Sequence, residues 1–169
     1  MKTKLITTMV CLLITSILCG QTKAEERIIK EQSSEKQYLK IKEMVNSGAF
    51  RVDVKFVQPM GGSSINRYGD GYYLKISSKT VECNLPYFGE VHTSGYGNGR
   101  GIVLDATYEN YEVNCKDKKQ KIVIKFKANN ELENYDIILT VFKNGNSSFS
   151  VQSINRNTIS YSGKISSIS

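Results

Sequence analysis

The feature that most limits the fold is an alternation with period two that starts at Phe50 and recurs to the C-terminus. Phe50, Val52, Val54 and Phe56 are interleaved with Arg51, Asp53 and Lys55. That spacing puts one face of a strand in an apolar interior and the other in water. Pro59 ends the run. Further strands are predicted over 71–78, 80–85, 101–106, 108–116, 120–128, 135–143, 147–154 and 158–165. Asn144-Gly145 between two such runs is a strong hairpin signal, and Asn155-Arg156-Asn157 suits the next turn. No long helical pattern separates the strands, so parallel βαβ units are excluded and antiparallel neighbours joined by short turns remain. The expectation is a mainly β domain, an antiparallel β meander of about eight or nine strands, closed as a barrel or split into a two-layer sandwich.

One N-terminal α-helix is predicted to pack on this sheet. Ser34 and Gln37 have the spacing of a capping box, and Tyr38, Ile41, Met44 and Val45 share a face opposite Lys36, Lys40, Lys42 and Glu43. Gly48 stands where a left-handed cap would end the helix. Ahead of it, residues 25–33 are charged and read as a flexible tether, so the domain proper is placed at 34–169.

Residues 1–24 have the pattern of a signal peptide. Lys2 and Lys4 precede an apolar run from Leu5 to Leu18, and Thr22 and Ala24 suit cleavage before Glu25. The run is short for a bilayer span, which needs about 20 residues. Lipidation at Cys19 is the alternative, although Leu18 is bulky for that signal; membrane association would follow from lipidation or from an uncleaved signal. These 24 residues hold three lysines and no acid, so removing them from a 169-residue chain of formal charge +7 leaves 145 residues at +4. That excess is too small for the footprint of a nucleic-acid binder.

In an oxidising compartment Cys83 and Cys115 would be an even pair. Both fall on the apolar phase of predicted strands, as a possible disulfide or as two buried thiols. His92 is the single histidine of the chain, so a Ser or Cys nucleophile would have to use it as base, with Glu90 near in sequence. No nucleophile elbow surrounds any serine. One histidine and two distant cysteines lack the spacing of a zinc site, and no acidic loop matches a calcium site. Residues 95–101 are rich in glycine but lack the Gly-Lys-Ser/Thr ending of a phosphate loop. No metal and no cofactor are expected.

Gln58-Pro59-Met60-Gly61-Gly62-Ser63-Ser64-Ile65-Asn66, then Gly71-Tyr72-Tyr73-Leu74-Lys75-Ile76, then Leu85-Pro86-Tyr87-Phe88-Gly89, followed by Tyr96-Gly97 and Gly99-Arg100-Gly101, form an ordered set of motifs. It resembles the domain-of-unknown-function family 4251, small exported proteins of Bacteroidota. The resemblance covers nearly all of the chain after residue 24. It implies export and a mostly antiparallel β fold, and it implies no activity.

Nine of the 13 glycines lie between Gly61 and Gly101, and five of the ten tyrosines between Tyr68 and Tyr96. Glycine allows close backbone approach, and tyrosine offers a flat face with a polar tip. Tyr72, Tyr73, Tyr87, Phe88, His92, Tyr96 and Arg100 are therefore the candidate ligand-binding residues, the aromatics for stacking and Arg100 for an anionic group. The lysine-rich stretch 116–127 reads either as a patch for an acidic surface or as a hairpin kept soluble by its charges. The leading functional expectation is an exported, non-enzymatic binding module for a small molecule, a glycan or an envelope protein. An envelope assembly protein that recruits a partner through a strand edge and a His92-dependent hydrolase are the alternatives.

Overall fold

The computed structural model describes residues 2–90, 92, 101–130 and 133–168, with side chains from Lys23 onward. Its elements are α1 (Lys2–Asn46), β1 (Ala49–Pro59), β2 (Ile65–Asn66), β3 (Tyr73–Ser77), β4 (Thr80–Leu85), β5 (Ile102–Lys116), β6 (Lys121–Asn129), β7 (Asn134–Phe142), β8 (Asn146–Gln152) and β9 (Ile159–Ser167). Every strand pair is antiparallel, in the order β2-β1-β3-β4-β5-β6-β7-β8-β9, and β1 also pairs with β9. The meander therefore closes into an eight-stranded barrel, with β2 as an extra strand outside the ring. Closure decides between the two architectures the sequence left open.

Side chains fill the interior. Phe50, Leu74, Ile76, Leu85, Ile122, Ile124 and Leu139 are fully buried. Phe149 and Tyr161 stack with ring centroids 4.9 Å apart. Two β-bulges re-aim the strands. At the first, the β1–β9 register shifts between Val54 and Phe56. Phe56, expected inside, is consequently 43% exposed, and Val57 takes the inward position. The second bulge lies between Glu109 and Glu112, with Asn110 at φ 53°. It joins the two strands expected at 101–106 and 108–116 into one bent strand. β5 also changes partner along its length, pairing with β4 over 102–107 and with β6 over 108–116.

The helix is continuous from Lys2 to Asn46, so the tether expected at 25–33 is helical and Ser34 lies inside a helix rather than at its cap. No helix among the described residues is long and apolar enough to cross a membrane. The chain separates into two compact units, Met1–Lys36 and Gln37–Ser169. Within the second, Tyr38, Ile41 and Val45 are buried in the barrel's apolar cluster, as their shared face predicts. Tyr38 donates a hydrogen bond to Asp117 at 2.8 Å, and Lys42 Nζ lies 3.0 Å from the same carboxylate. This last helical stretch is thus fixed to the β5–β6 turn. Gly48 ends the helix at φ 66°, and Gly145 turns the β7–β8 hairpin at φ 80°, both as expected.

Cys83 and Cys115 are free thiols, the second of the two alternatives the sequence left open, with Cys83 buried and Cys115 half-buried. The reason is register. Cys83 pairs with Leu104 of β5, and Cys115 lies 11 residues further along that strand, roughly 36 Å of strand length at the usual rise per residue. A disulfide needs Cα atoms within about 7 Å. Burial pushes the Cys83 thiol up to about 12, so little thiolate exists near neutral pH. Iodoacetamide at pH 8 is expected to label Cys115, which is half-buried, and to spare Cys83 until the protein is unfolded. Equal labelling rates in the native state would contradict the enclosed position of Cys83.

Candidate functional site

One end of the barrel gathers the long β1–β3 and β4–β5 connections and the β6–β7 and β8–β9 turns. It is sealed by a polar plug. Glu133, with no exposed side-chain surface, accepts Arg156 Nε at 2.9 Å and the Tyr135 hydroxyl at 2.7 Å. Its other oxygen accepts the Ser153 hydroxyl. The Arg156 guanidinium lies over the Tyr87 ring, 5.0 Å from its centroid. Tyr87 is itself buried, with its hydroxyl 2.8 Å from the Glu90 carbonyl and 3.2 Å from that of Asn157. Tyr161 donates from inside the barrel to the Pro86 carbonyl at 2.8 Å. Burial raises the pKa of both phenols. They serve here as neutral hydrogen-bonding struts.

Beside the plug lies an open cleft of about 320 Å³ lined by Arg67, Tyr72, Asn84, Leu85, Pro86, Tyr87, Phe88, Gly101 and Val103. The Arg67 guanidinium stacks 4.9 Å from the Phe88 ring centroid, and its Nη1 is 3.5 Å from Asp70. Its Nε is buried without a hydrogen-bond partner among the described residues. Val103 is 64% exposed and Phe88 37%, and Asn84, the cross-strand partner of Val103, lines the cleft beside them. Met60 and Ile154 are also exposed at this end, on turns where polar residues are usual. A second hollow of about 210 Å³, bounded by Thr107, Glu109, Lys127 and Asp136, is polar, with Lys127 and Asp136 ion-paired at 3.2 Å.

The structure brings Tyr72, Tyr87 and Phe88 to the cleft, but only Phe88 presents much surface. Tyr73 does not join them. It lies on the other face of the chain, where its hydroxyl bonds Glu82 and Arg51 covers its ring at 4.0 Å. The Tyr73 hydrogen bond, then Lys75, hold the Glu82 carboxyl below its ordinary pKa. His92 is exposed and is not among the residues lining the cleft. Its Nε2 is 2.9 Å from Asn157 Oδ1, and its backbone N–H donates to the Asn155 carbonyl at 2.9 Å. Cys83 faces the barrel interior with its thiol 3.7 Å from the Ile102 carbonyl, so it is not presented as a nucleophile. Tyr96 and Arg100 lie outside the described residues. Arg67, Asn84 and Val103 were missed by sequence reasoning. A valine on the solvent face of a strand was the available signal for the last. Among the described residues no cluster of three or more His, Cys, Asp or Glu could hold a metal ion.

The sequence model of a family described as a domain of unknown function, DUF4251, matches residues 32–165. The chain belongs to the DUF4251 family. The crystal structure of a DUF4251 family protein from Bacteroides eggerthii superposes with a TM-score of 0.62 over 80% of this chain and 88% of that one, at 15% identity. At that identity the likeness speaks for the fold shared within DUF4251. No curated protein matches the sequence.

Proposed function

We propose that this DUF4251 protein is an exported binding domain that acts without catalysis and recognises its ligand in the cleft beside the polar plug. The observation that carries this reading is the pairing of a half-exposed aromatic, Phe88, with a stacked arginine and an exposed Val103 around one concavity. Apolar walls with a few convergent polar groups are the ordinary makeup of ligand sites. The packed interior supports recognition at the rim rather than inside the ring. A flat polar molecule, such as a sugar ring, fits the combination: one face on Phe88 and Val103, hydroxyls toward Asn84 and Arg67. Export rests on the N-terminal pattern of basic residues, apolar run and small residues. Strand addition is less well supported, because closure removes most of the sheet's edge and the outermost strand, β2, has two residues.

Amide NMR spectra titrated with oligosaccharide fragments and short peptides test the reading. Shifts are expected at residues 67–72, 84–88 and 101–103, and Phe88→Ala should weaken the responding ligand about tenfold, the scale of one lost aromatic contact. Shifts confined to other faces, or a Phe88→Ala protein that binds as well as the parent, would refute the cleft.

A further inference from the structure

Arg67 is the one charged residue among those lining the cleft, and none of them is acidic. Its guanidinium is a rigid fork of N–H donors, and the fold leaves that fork under-used. Among the described residues the only acceptor it meets is Asp70, at 3.5 Å from Nη1, against about 2.7–2.9 Å for a well-formed charge-assisted bond. Nε is buried with no acceptor, a costly state for a donor. The residue is nonetheless firmly placed. Its backbone N–H donates to the Lys55 carbonyl at 2.7 Å, just after the short pairing of β2 with β1. The guanidinium then rests on the Phe88 ring, an arrangement that covers one flat face and leaves the donor edge for a partner. With 34% of its side chain exposed, Arg67 is reachable from the cleft.

We infer, resting on the cleft as the ligand site, that its ligand is an acidic sugar whose ring carboxylate pairs with Arg67. A planar carboxylate matches the guanidinium fork with two parallel hydrogen bonds. Charge selects a monoanion. Asp70 offsets part of the single cation, and no second cation lines the cleft to balance a phosphate dianion. Asn84 supplies an amide that both donates and accepts, suited to the ring hydroxyls beside the carboxylate. Phe88 and Val103 supply the apolar surface for the face of the ring.

The experiment is calorimetric titration of the full chain with trigalacturonate and with its methyl ester, which keeps the rings and removes the charge. Amide NMR locates each response. The acid should bind about tenfold more tightly than the ester, the scale of one hydrogen-bonded charge, with shifts at residues 67–72, 84–88 and 101–103. Arg67→Gln, its fold confirmed by circular dichroism, should abolish that preference. Asp70→Asn should tighten the acid about threefold and leave the ester unchanged, a gain that a merely structural role would not produce. Equal binding of acid and ester in the cleft overturns the acidic class while leaving the cleft itself standing. Cleft amides that respond to neither probe also overturn it, and the wider panel of oligosaccharides and peptides then decides whether the cleft reading survives. A folded Arg67→Gln protein that still prefers the acid overturns it too. So does tighter binding of glucose 6-phosphate, which would mark a dianion site, or equally tight binding of a Gly-Gly-Ala peptide with a free C-terminus, which would show that the sugar ring is not recognised.

Discussion

Gly163→Ala is expected to destabilise the protein by on the order of 4 kcal/mol, among the largest effects of any single methyl in the chain. Gly163 pairs with Val54 where the β1–β9 ladder shifts register. A Cβ there would overlap the Asp53 carbonyl oxygen, lie 2.8 Å from the carbonyl carbon and 3.1 Å from Val54 Cα. These are backbone atoms held by the ladder, so no rotamer change relieves the overlap. The ring would have to part at the seam that makes it a barrel. Urea unfolding followed by far-UV circular dichroism gives the measurement, since the chain contains no tryptophan. A midpoint change equivalent to less than about 1 kcal/mol would show that the β1–β9 seam is looser than described. Gly61→Ala is the contrast. Its Cβ would meet nothing within 4 Å although its φ is 73°, so its cost should stay near the roughly 1–2 kcal/mol of a left-handed alanine.

Glu133→Gln should cost about 3–5 kcal/mol, because it removes the carboxylate that balances the buried Arg156 guanidinium in the polar plug. The two side chains are 0% and 7% exposed, so water cannot replace the lost carboxylate and added salt should recover little. The carboxylate also accepts Tyr135 and Ser153, and the amide must turn a donor toward one of them. Adding Arg156→Met should return part of the loss by removing the buried guanidinium whose bond to the Glu133 carboxylate was lost. If Glu133→Gln left the unfolding midpoint within about 0.5 kcal/mol of the parent, the plug would not be the closed network described here. Together the two substitutions probe separate devices, the backbone fit of the seam and the electrostatics of the plugged end.

Much of this architecture was legible because a two-residue period survives translation into side-chain direction. Every ring strand was visible, and Gly48 and Gly145 marked turns that only positive φ allows. The errors have a common physical source. A bulge shifts the phase by one residue, which in sequence looks either like a misplaced core residue or like the end of a strand. Hence Phe56 was put inside, and the residues on either side of Asn110 were divided into two strands. Closure left no periodic trace, since the pairing partner of β1 lies more than a hundred residues away and Gly163 differs from any other glycine only through its neighbour across the seam. The site was half legible. The density of tyrosine and glycine pointed to the end of the barrel that holds the cleft, but density cannot tell a strut such as Tyr87 from a presented ring such as Phe88. It also cannot show that Tyr73 faces Arg51 and Glu82 instead of the cleft.

Seven of the ladders that make the ring join strands that follow one another around it in chain order, while the eighth couples Phe50 to Ser167. The entropy of bringing distant chain segments together is thus concentrated in one event instead of being spread over the fold. Loop-closure cost grows only with the logarithm of length, so that single event is affordable, but nothing local prepares it. The meander can zip from turn to turn, and the cylinder exists only once its first and last strands meet.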